Sequence, residues 1–107
     1  MKIKIKYLIK MVSVKFSKSE IQNKRMTATF YDDAGKKKKT VQFGYKGGST
    51  FIDHKNEDTK KAWIARHQIR GKFEIYDTPS ALARWILWEE KNLQDAIRKY
   101  KKKFNLS

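Results

Sequence analysis

The first half of the fold is decided by residues 26–45, MTATFYDDAGKKKKTVQFGY. β-Branched and aromatic residues are concentrated at 26–31 and 40–45, which predicts two strands. Between them, residues 32–35 have the composition of a tight turn, with Gly35 available for a positive φ. Two strands joined by a short turn predict an antiparallel hairpin. In the second strand, alternation places three apolar side chains on one face: Val41, Phe43 and Tyr45.

The predicted sheet extends upstream of this hairpin. Residues 12–16 alternate between apolar and polar, which predicts a further strand, and residues 17–25 form a polar loop. Residues 1–10 also begin with alternation, but their apolar side chains fall on odd positions, whereas those of the next strand fall on even ones. Because a slip of one residue reverses the face of a strand, we expect a break between the two stretches. Residues 1–11 are therefore predicted to be a basic arm or an extra strand, and residues 12–107 a single domain.

Beyond the third strand the pattern becomes helical. Asn56 is followed by two acidic residues and predicts a helix over 57–68, because such residues stabilise a helix start. A Thr-Pro pair at 78–79 predicts a second helix extending to Glu89, and Asn92 precedes a third. The third helix carries apolar residues at helical spacing: Leu93, Ala96, Ile97, Tyr100 and Phe104. The expected fold class is α+β, an N-terminal antiparallel β-sheet of three or four strands followed by three helices packed on one face of it.

The charge of the chain is large and unevenly distributed. The 107 residues include 26 Lys/Arg and 11 Asp/Glu, a formal net charge of +15, and no Cys. Residues 1–48 carry +10, residues 49–90 are neutral and residues 91–107 carry +5. Without Cys there is no disulfide, thiolate metal site or thiol nucleophile. Two basic ends around a neutral middle predict a polyanionic partner, since solubility alone requires a net charge of only about 2–8.

Two lysine runs are the candidate contacts for that partner. One follows the predicted turn at 36–39, and the other lies near the end of the third helix. The first run also fits a solvated turn that protects an apolar strand from aggregation, or a nuclear-localisation patch. We favour contacts with phosphates because both runs are basic. The predicted nucleic-acid-binding residues are Lys36, Lys37, Lys38, Lys39, Lys99, Lys101, Lys102 and Lys103.

The aromatic residues and the two histidines have simpler interpretations. The 14 aromatic residues are predicted to be mainly core residues, with Trp88 the most exposed, although an exposed ring could stack on an unpaired base. His54 and His67 are 13 positions apart, which matches no compact metal-binding motif, so we expect each to be hydrogen-bonded to backbone or to an acid. There is no glycine-rich phosphate loop and no nucleophile elbow. The sequence predicts a non-enzymatic protein without metal or cofactor.

Five short motifs are similar to a family of small basic proteins encoded by nucleocytoplasmic large DNA viruses, such as phycodnaviruses and mimivirus-like viruses. These motifs are TVQFG at 40–44, FIDHK at 51–55, IARH at 64–67, ALARWILW at 81–88 and YKKKF at 100–104. The resemblance implies a viral source and a virion-associated protein, and it implies no particular activity. The residues that match the family pattern are His54, Arg66, His67, Arg84, Trp85 and Trp88.

Two functions from different classes follow. The first is binding and condensation of the genome through phosphate contacts, with weak sequence preference and a steep dependence on salt. The alternative is a minor capsid or cement protein, in which residues 1–10 would add a strand to a capsid protein. Either function places the protein in the virion and, during infection, in the nucleus or cytoplasm of the host cell. The sequence leaves open whether the polyanion is DNA, RNA or an acidic protein, and it leaves open the oligomeric state. No stretch is long and apolar enough to span a membrane.

Overall fold

The computed structural model describes residues 12–107 and has the predicted α+β class. A three-stranded antiparallel sheet in the order β1-β2-β3 comes first, and four helices follow it. The strands are β1 (Ser13–Lys18), β2 (Lys24–Tyr31) and β3 (Lys37–Tyr45). The predicted N-terminal arm or fourth strand, residues 1–11, lies outside the described residues.

The strands are longer than the sequence predicts. Lys18 pairs with Met26, so the predicted polar loop at 17–25 is reduced to residues 19–23. Lys37 pairs with Tyr31 across a register shift, so most of the lysine run belongs to β3 and not to the turn. Cross-strand pairing therefore extends into polar sequence wherever the partner strand continues.

One face of the sheet is buried and the other is polar. The inward residues alternate along the strands, as predicted, and they are Val14, Met26, Ala28, Phe30, Val41 and Phe43. Tyr45, which was predicted to share the face of Phe43, is instead 64% exposed. The reason is Gly44, whose φ of +78° turns the end of β3 so that the Tyr45 ring lies against Gly47.

The hairpin turn forms as predicted. Gly35 has a φ of +82°. The Asp32 carboxylate accepts hydrogen bonds from the amides of Ala34 and Lys36 at 3.0 and 2.8 Å. This arrangement is the Asx-type bonding for which turn sequences favour Asp.

Four helices follow the sheet, one more than predicted. Three of them begin at the predicted caps Asn56, Thr78 and Asn92, and there Asn56 accepts from the Thr59 amide and Asn92 accepts from the Asp95 amide. The additional helix is α1, a single turn. The helices are α1 (Phe51–His54), α2 (Glu57–His67), α3 (Pro79–Leu82) and α4 (Leu93–Lys103).

The second predicted helix is shorter than expected and changes geometry. Thr78 caps α3 by accepting from the Ala81 amide at 3.2 Å. The chain then widens into a π-helical turn at Ala83–Leu87 and leaves the helix before Glu89. Wide turns of this kind are usually single-turn insertions within an α-helix.

The apolar face of α4 is also as predicted, with one difference at its end. Tyr100 is fully buried, and its hydroxyl donates to the Tyr76 carbonyl at 2.6 Å. The helix ends at Lys103, so Phe104 is the capping residue. The chain then returns to β1, where the amide of Val14 donates to the carbonyl of Ser107.

The prediction that Trp88 is the most exposed tryptophan is wrong. Trp88 is 7% exposed because α2 and α1 cover it: its ring stacks 4.9 Å from Trp63 and lies 5.3 Å from His54. Trp85 is half-buried at the edge of the helical layer. Its indole N–H donates to the Phe73 carbonyl at 2.8 Å, which fixes the ring there.

Candidate nucleic-acid interface

The lysines of the hairpin are exposed, as a phosphate-binding run requires. Lys36, Lys37 and Lys38 make no ion pair within residues 12–107. Lys39 lies 3.4 Å from the Asp77 carboxylate. Three of these four cations therefore make no ion pair in the described part of the chain, although the Asp32 carboxylate accepts from the backbone amide of Lys36 at 2.8 Å.

The lysines of α4 are divided differently. Lys99 donates a hydrogen bond to Glu89 and lies 3.2 Å from Glu90, and these acids raise its pKa above the usual value, chiefly through the hydrogen bond to Glu89. Lys103 lies 3.3 Å from Glu74. Lys101 and Lys102 have no ion pair among the described residues. Lys39, Lys99 and Lys103 thus help to hold the fold together, and five of the eight predicted lysines remain for a ligand.

The two lysine runs lie at the same end of the molecule. The start of α4 lies at the far end of the sheet, because Leu93 and Met26 line the same cavity. The end of α4 lies beside the hairpin turn: Phe104 is 6.2 Å from Tyr76, and Tyr76 is 5.5 Å from Phe30. The axis of α4 therefore carries its C-terminal lysines toward the turn.

A single loop, residues 72–78, contacts both runs. Asp77 of this loop pairs with Lys39, and Glu74 pairs with Lys103. The α-carbons of these two acids are at most about 11 Å apart, because the acids are three positions apart in the sequence. We call the surface formed by Lys36–Lys39 and Lys101–Lys103 the basic end.

The outer face of the sheet continues this basic end. Lys15 lies over the Tyr31 ring at 5.6 Å, and Tyr31 pairs with Lys37. The side chains of Thr29 and Thr40 are paired in the next row. None of the residues of β1, β2 and β3 is acidic. The strand residues therefore give this face a polar and positive character, which favours a phosphate.

Three of the residues marked by the sequence resemblance belong to the scaffold. Arg84 donates to Glu89 at 2.6 Å and lies 4.2 Å from the Trp85 ring. Glu89 also forms ion pairs with Lys99 and Lys60, so one carboxylate connects α2, α4 and the π-helical turn. Burial acts to raise the pKa of Glu89, but the hydrogen bonds from Lys99 and Arg84 prevail and lower it. Arg84, Trp85 and Trp88 are thus fixed by internal contacts.

Both histidines have the backbone hydrogen bonds that we expected. The Asn56 amide donates to Nδ1 of His54 at 2.9 Å. The Nε2 atom of His54 is buried and has no partner among residues 12–107, and it belongs to a ring that lies 5.3 Å from Trp88. Nδ1 of His67 donates to the Trp63 carbonyl at 2.8 Å. In the described part of the chain, no group of three or more His, Asp or Glu side chains could hold a metal ion.

Sequence reasoning missed a cavity between the end of β3 and the end of α2. Its volume is about 560 Å³, and Arg66 and His67 contribute to its rim. Tyr45, Trp63 and Trp88 form its aromatic walls. The only sequence signal for this cavity was the resemblance that marked Arg66 and His67. The aromatic residues of its walls come from elements that are distant along the chain, so no local pattern brings them together.

The fold and the basic end define a small basic α+β protein. The chain belongs to a family of unknown function (DUF5754), whose profile matches residues 14–67. The matched part contains the sheet except for Ser13, together with α1 and α2, and with them the hairpin lysines and the cavity residues Tyr45, Arg66 and His67. No curated protein and no solved structure is significantly similar to the chain. Within residues 12–107, no helix has the length and hydropathy needed to cross a membrane.

Proposed function

We propose that this chain is a non-enzymatic nucleic-acid-binding protein of a large DNA virus, bound to the packaged genome in the virion. The observation that supports the binding function is the position of the two lysine runs at one end of the molecule, contacted by one loop. The viral source is an extension of the sequence resemblance.

The unpaired cations set the expected strength of the electrostatic attraction. Five lysines of the basic end have no ion pair in the described part of the chain: Lys36, Lys37, Lys38, Lys101 and Lys102. If each neutralises one phosphate of duplex DNA, the slope of log K against log salt is about −4.5, and affinity falls about 500-fold between 50 and 200 mM salt. Phosphate contacts carry no sequence information, so binding should be nearly independent of sequence.

The experiment compares two triple variants with the same change of charge. The first replaces three lysines at the basic end, K36A, K37A and K38A. The second replaces three exposed lysines at the opposite end of the sheet, K18A, K24A and K46A. Binding of a blunt DNA duplex is measured by fluorescence anisotropy across a salt series.

The two variants should differ in salt slope. We expect the first to change the slope to about −1.8, since each lost phosphate contact removes about 0.9. The second should stay within one unit of the wild type. Equal effects of the two variants, or wild-type binding that does not respond to salt, would refute the proposal.

The capsid or cement function stays a prediction. It depends on residues 1–10, which lie outside the described residues, and no contact in the structure favours it.

A further inference from the structure

The cavity beside α2 lies at the opposite end of β3 from the hairpin lysines. β3 has nine residues, so its two ends are about 26 Å apart. Three elements line the cavity: the end of β3 at Tyr45, the end of α2 at His67, and the π-helical turn. Its volume of about 560 Å³ is within the range of small-molecule sites.

Its walls are aromatic and already ordered. The rings of His67 and Trp63 are parallel, 4.1 Å apart, and those of Trp63 and Trp88 are parallel, 4.9 Å apart. Burial increases from exposed His67 through half-buried Trp63 to buried Trp88. Tyr45 adds a ring that is 64% exposed, so the cavity offers aromatic surface at its mouth. A planar ring can stack there without a rearrangement of the wall.

The Tyr45 ring owes its position to a glycine. A Cβ atom at Gly47 would lie 2.9 Å from the Tyr45 ring, so any other residue there would push the ring away. The ring therefore lies close to the Gly47 backbone, beside the cavity, and most of its surface faces solvent.

The polar groups of the cavity favour an anionic ligand. Arg66 is exposed at the rim and makes no ion pair within residues 12–107. Because Nδ1 of His67 donates to the Trp63 carbonyl, Nε2 of the uncharged ring can only accept a hydrogen bond, so the group that favours an anion is Arg66. No carboxylate lines the cavity, whereas the hydroxyl-bearing residues Ser49 and Thr59 do. A ligand that matches these walls combines a flat aromatic ring with a negative charge.

We infer that this cavity takes the base of an unpaired nucleotide, with Arg66 on the adjoining phosphate. The inference rests on the proposed function, because the strand bound at the basic end would supply that nucleotide. The segment that leads from α2 to Asp77 carries two exposed cations, Arg70 and Lys72. Asp77, at the end of this segment, pairs with Lys39. A nucleic acid with a single-stranded end can thus contact the lysines and fill the cavity together.

The test compares two DNA duplexes that differ only in a short single-stranded adenine overhang. Binding is followed by anisotropy and by tryptophan fluorescence, because Trp63 and Trp88 line the cavity. The wild type should prefer the overhang, and its fluorescence should be quenched only by that DNA. The affinity of Y45A for the overhang duplex should be about 5- to 150-fold lower than that of the wild type, which is the range expected for the loss of one stacking ring.

R66A should lower the preference for the overhang as well. The matched control is K61A, which removes the same charge from an exposed residue of α2 that does not line the cavity. Since Tyr45 and Arg66 are exposed, both variants should unfold at the wild-type temperature.

The outcomes separate this inference from the proposed function. Salt-sensitive binding of both duplexes with no preference for the overhang would overturn the cavity inference and leave the proposed function standing. An equal effect of K61A and R66A, or a preference that survives Y45A, would also overturn it. Absence of binding to either duplex would refute both.

Discussion

Replacement of Gly44 by alanine is expected to destabilise the fold through two separate effects. Gly44 has a φ of +78°, and an L-residue in the left-handed region costs about 1–2 kcal/mol. The new Cβ would lie 2.8 Å from Cδ1 of Leu87 and 3.0 Å from Cβ of Arg25. Leu87 is 1% exposed and cannot move into solvent, so the clash adds an overpacking cost of about 1–3 kcal/mol. A stiffer unfolded chain offsets about 0.4–1 kcal/mol of this, and the net loss is about 3 kcal/mol.

Gly35 provides the matched control. Its φ is +82°, yet no atom lies within 4 Å of the position of an added Cβ. Gly35→Ala therefore keeps the backbone effect without the clash and should cost about 1 kcal/mol. The difference of about 2 kcal/mol belongs to the contact between β3 and the π-helical turn.

The assay is urea unfolding followed by tryptophan fluorescence, with thermal unfolding as a second measurement. In a domain of this size each kcal/mol corresponds to about 4–8 °C in Tm. The clash can be isolated by combining Gly44→Ala with Leu87→Ala, since the double variant should lose less stability than the sum of the two singles. If Gly44→Ala costs no more than Gly35→Ala, or if the two substitutions at 44 and 87 are additive, the reasoning is wrong.

Two further predictions concern carboxylates. The paired hydrogen bonds from Arg25, at 2.6 and 2.9 Å, hold the pKa of Asp53 below its usual value of 3.8, so this carboxylate stabilises the fold above that pH and the contribution is lost as pH falls below it. Asp53→Asn should therefore flatten the acid limb of the stability profile, measured by urea unfolding as a function of pH. Glu89→Gln should lower stability by about 1–3 kcal/mol, because the cations around its 11%-exposed side chain lose their charge partner. Glu90→Gln, on a side chain that is 35% exposed, should cost less than half of that in the same urea titration.

The elements with local signals were predictable from sequence. The hairpin turn is stabilised by Asp32 within five residues of chain, and the cap at Asn56 acts three residues ahead. Such interactions depend on neighbours in the sequence, so composition and spacing are enough to locate them. The fold class followed from the same local signals.

The positions of the aromatic residues were less predictable. Trp85 and Trp88 are three residues apart, so an ordinary α-helix would place them on nearly the same face. The π-helical turn separates them, and α2 then covers Trp88. Neither the change of helix geometry nor the covering helix leaves a periodic signal around residue 88.

In the candidate sites, too, the local features were predictable from sequence and the contacts between elements were not. Sequence located the lysine runs, but it could not show that Lys99 and Lys103 are held by acids far away along the chain. It also could not bring Tyr45 to the rim of a cavity formed with Arg66. These contacts depend on packing between elements, and packing is what a local pattern does not contain.

The π-helical turn at Ala83–Leu87 has a consequence for how the chain can change in length. In an α-helix each residue advances the direction of the side chain by about 100°. A π-helical turn accommodates one residue more than an α-helical turn, so deletion of one residue here would restore α-helical winding and leave the following side chains near their present directions. Arg84, Trp85 and Trp88 would then keep most of their contacts. Relatives of this chain should therefore tolerate a gap of a single residue in this turn more readily than in α2 or α4, where the same gap would rotate all following side chains by about 100°.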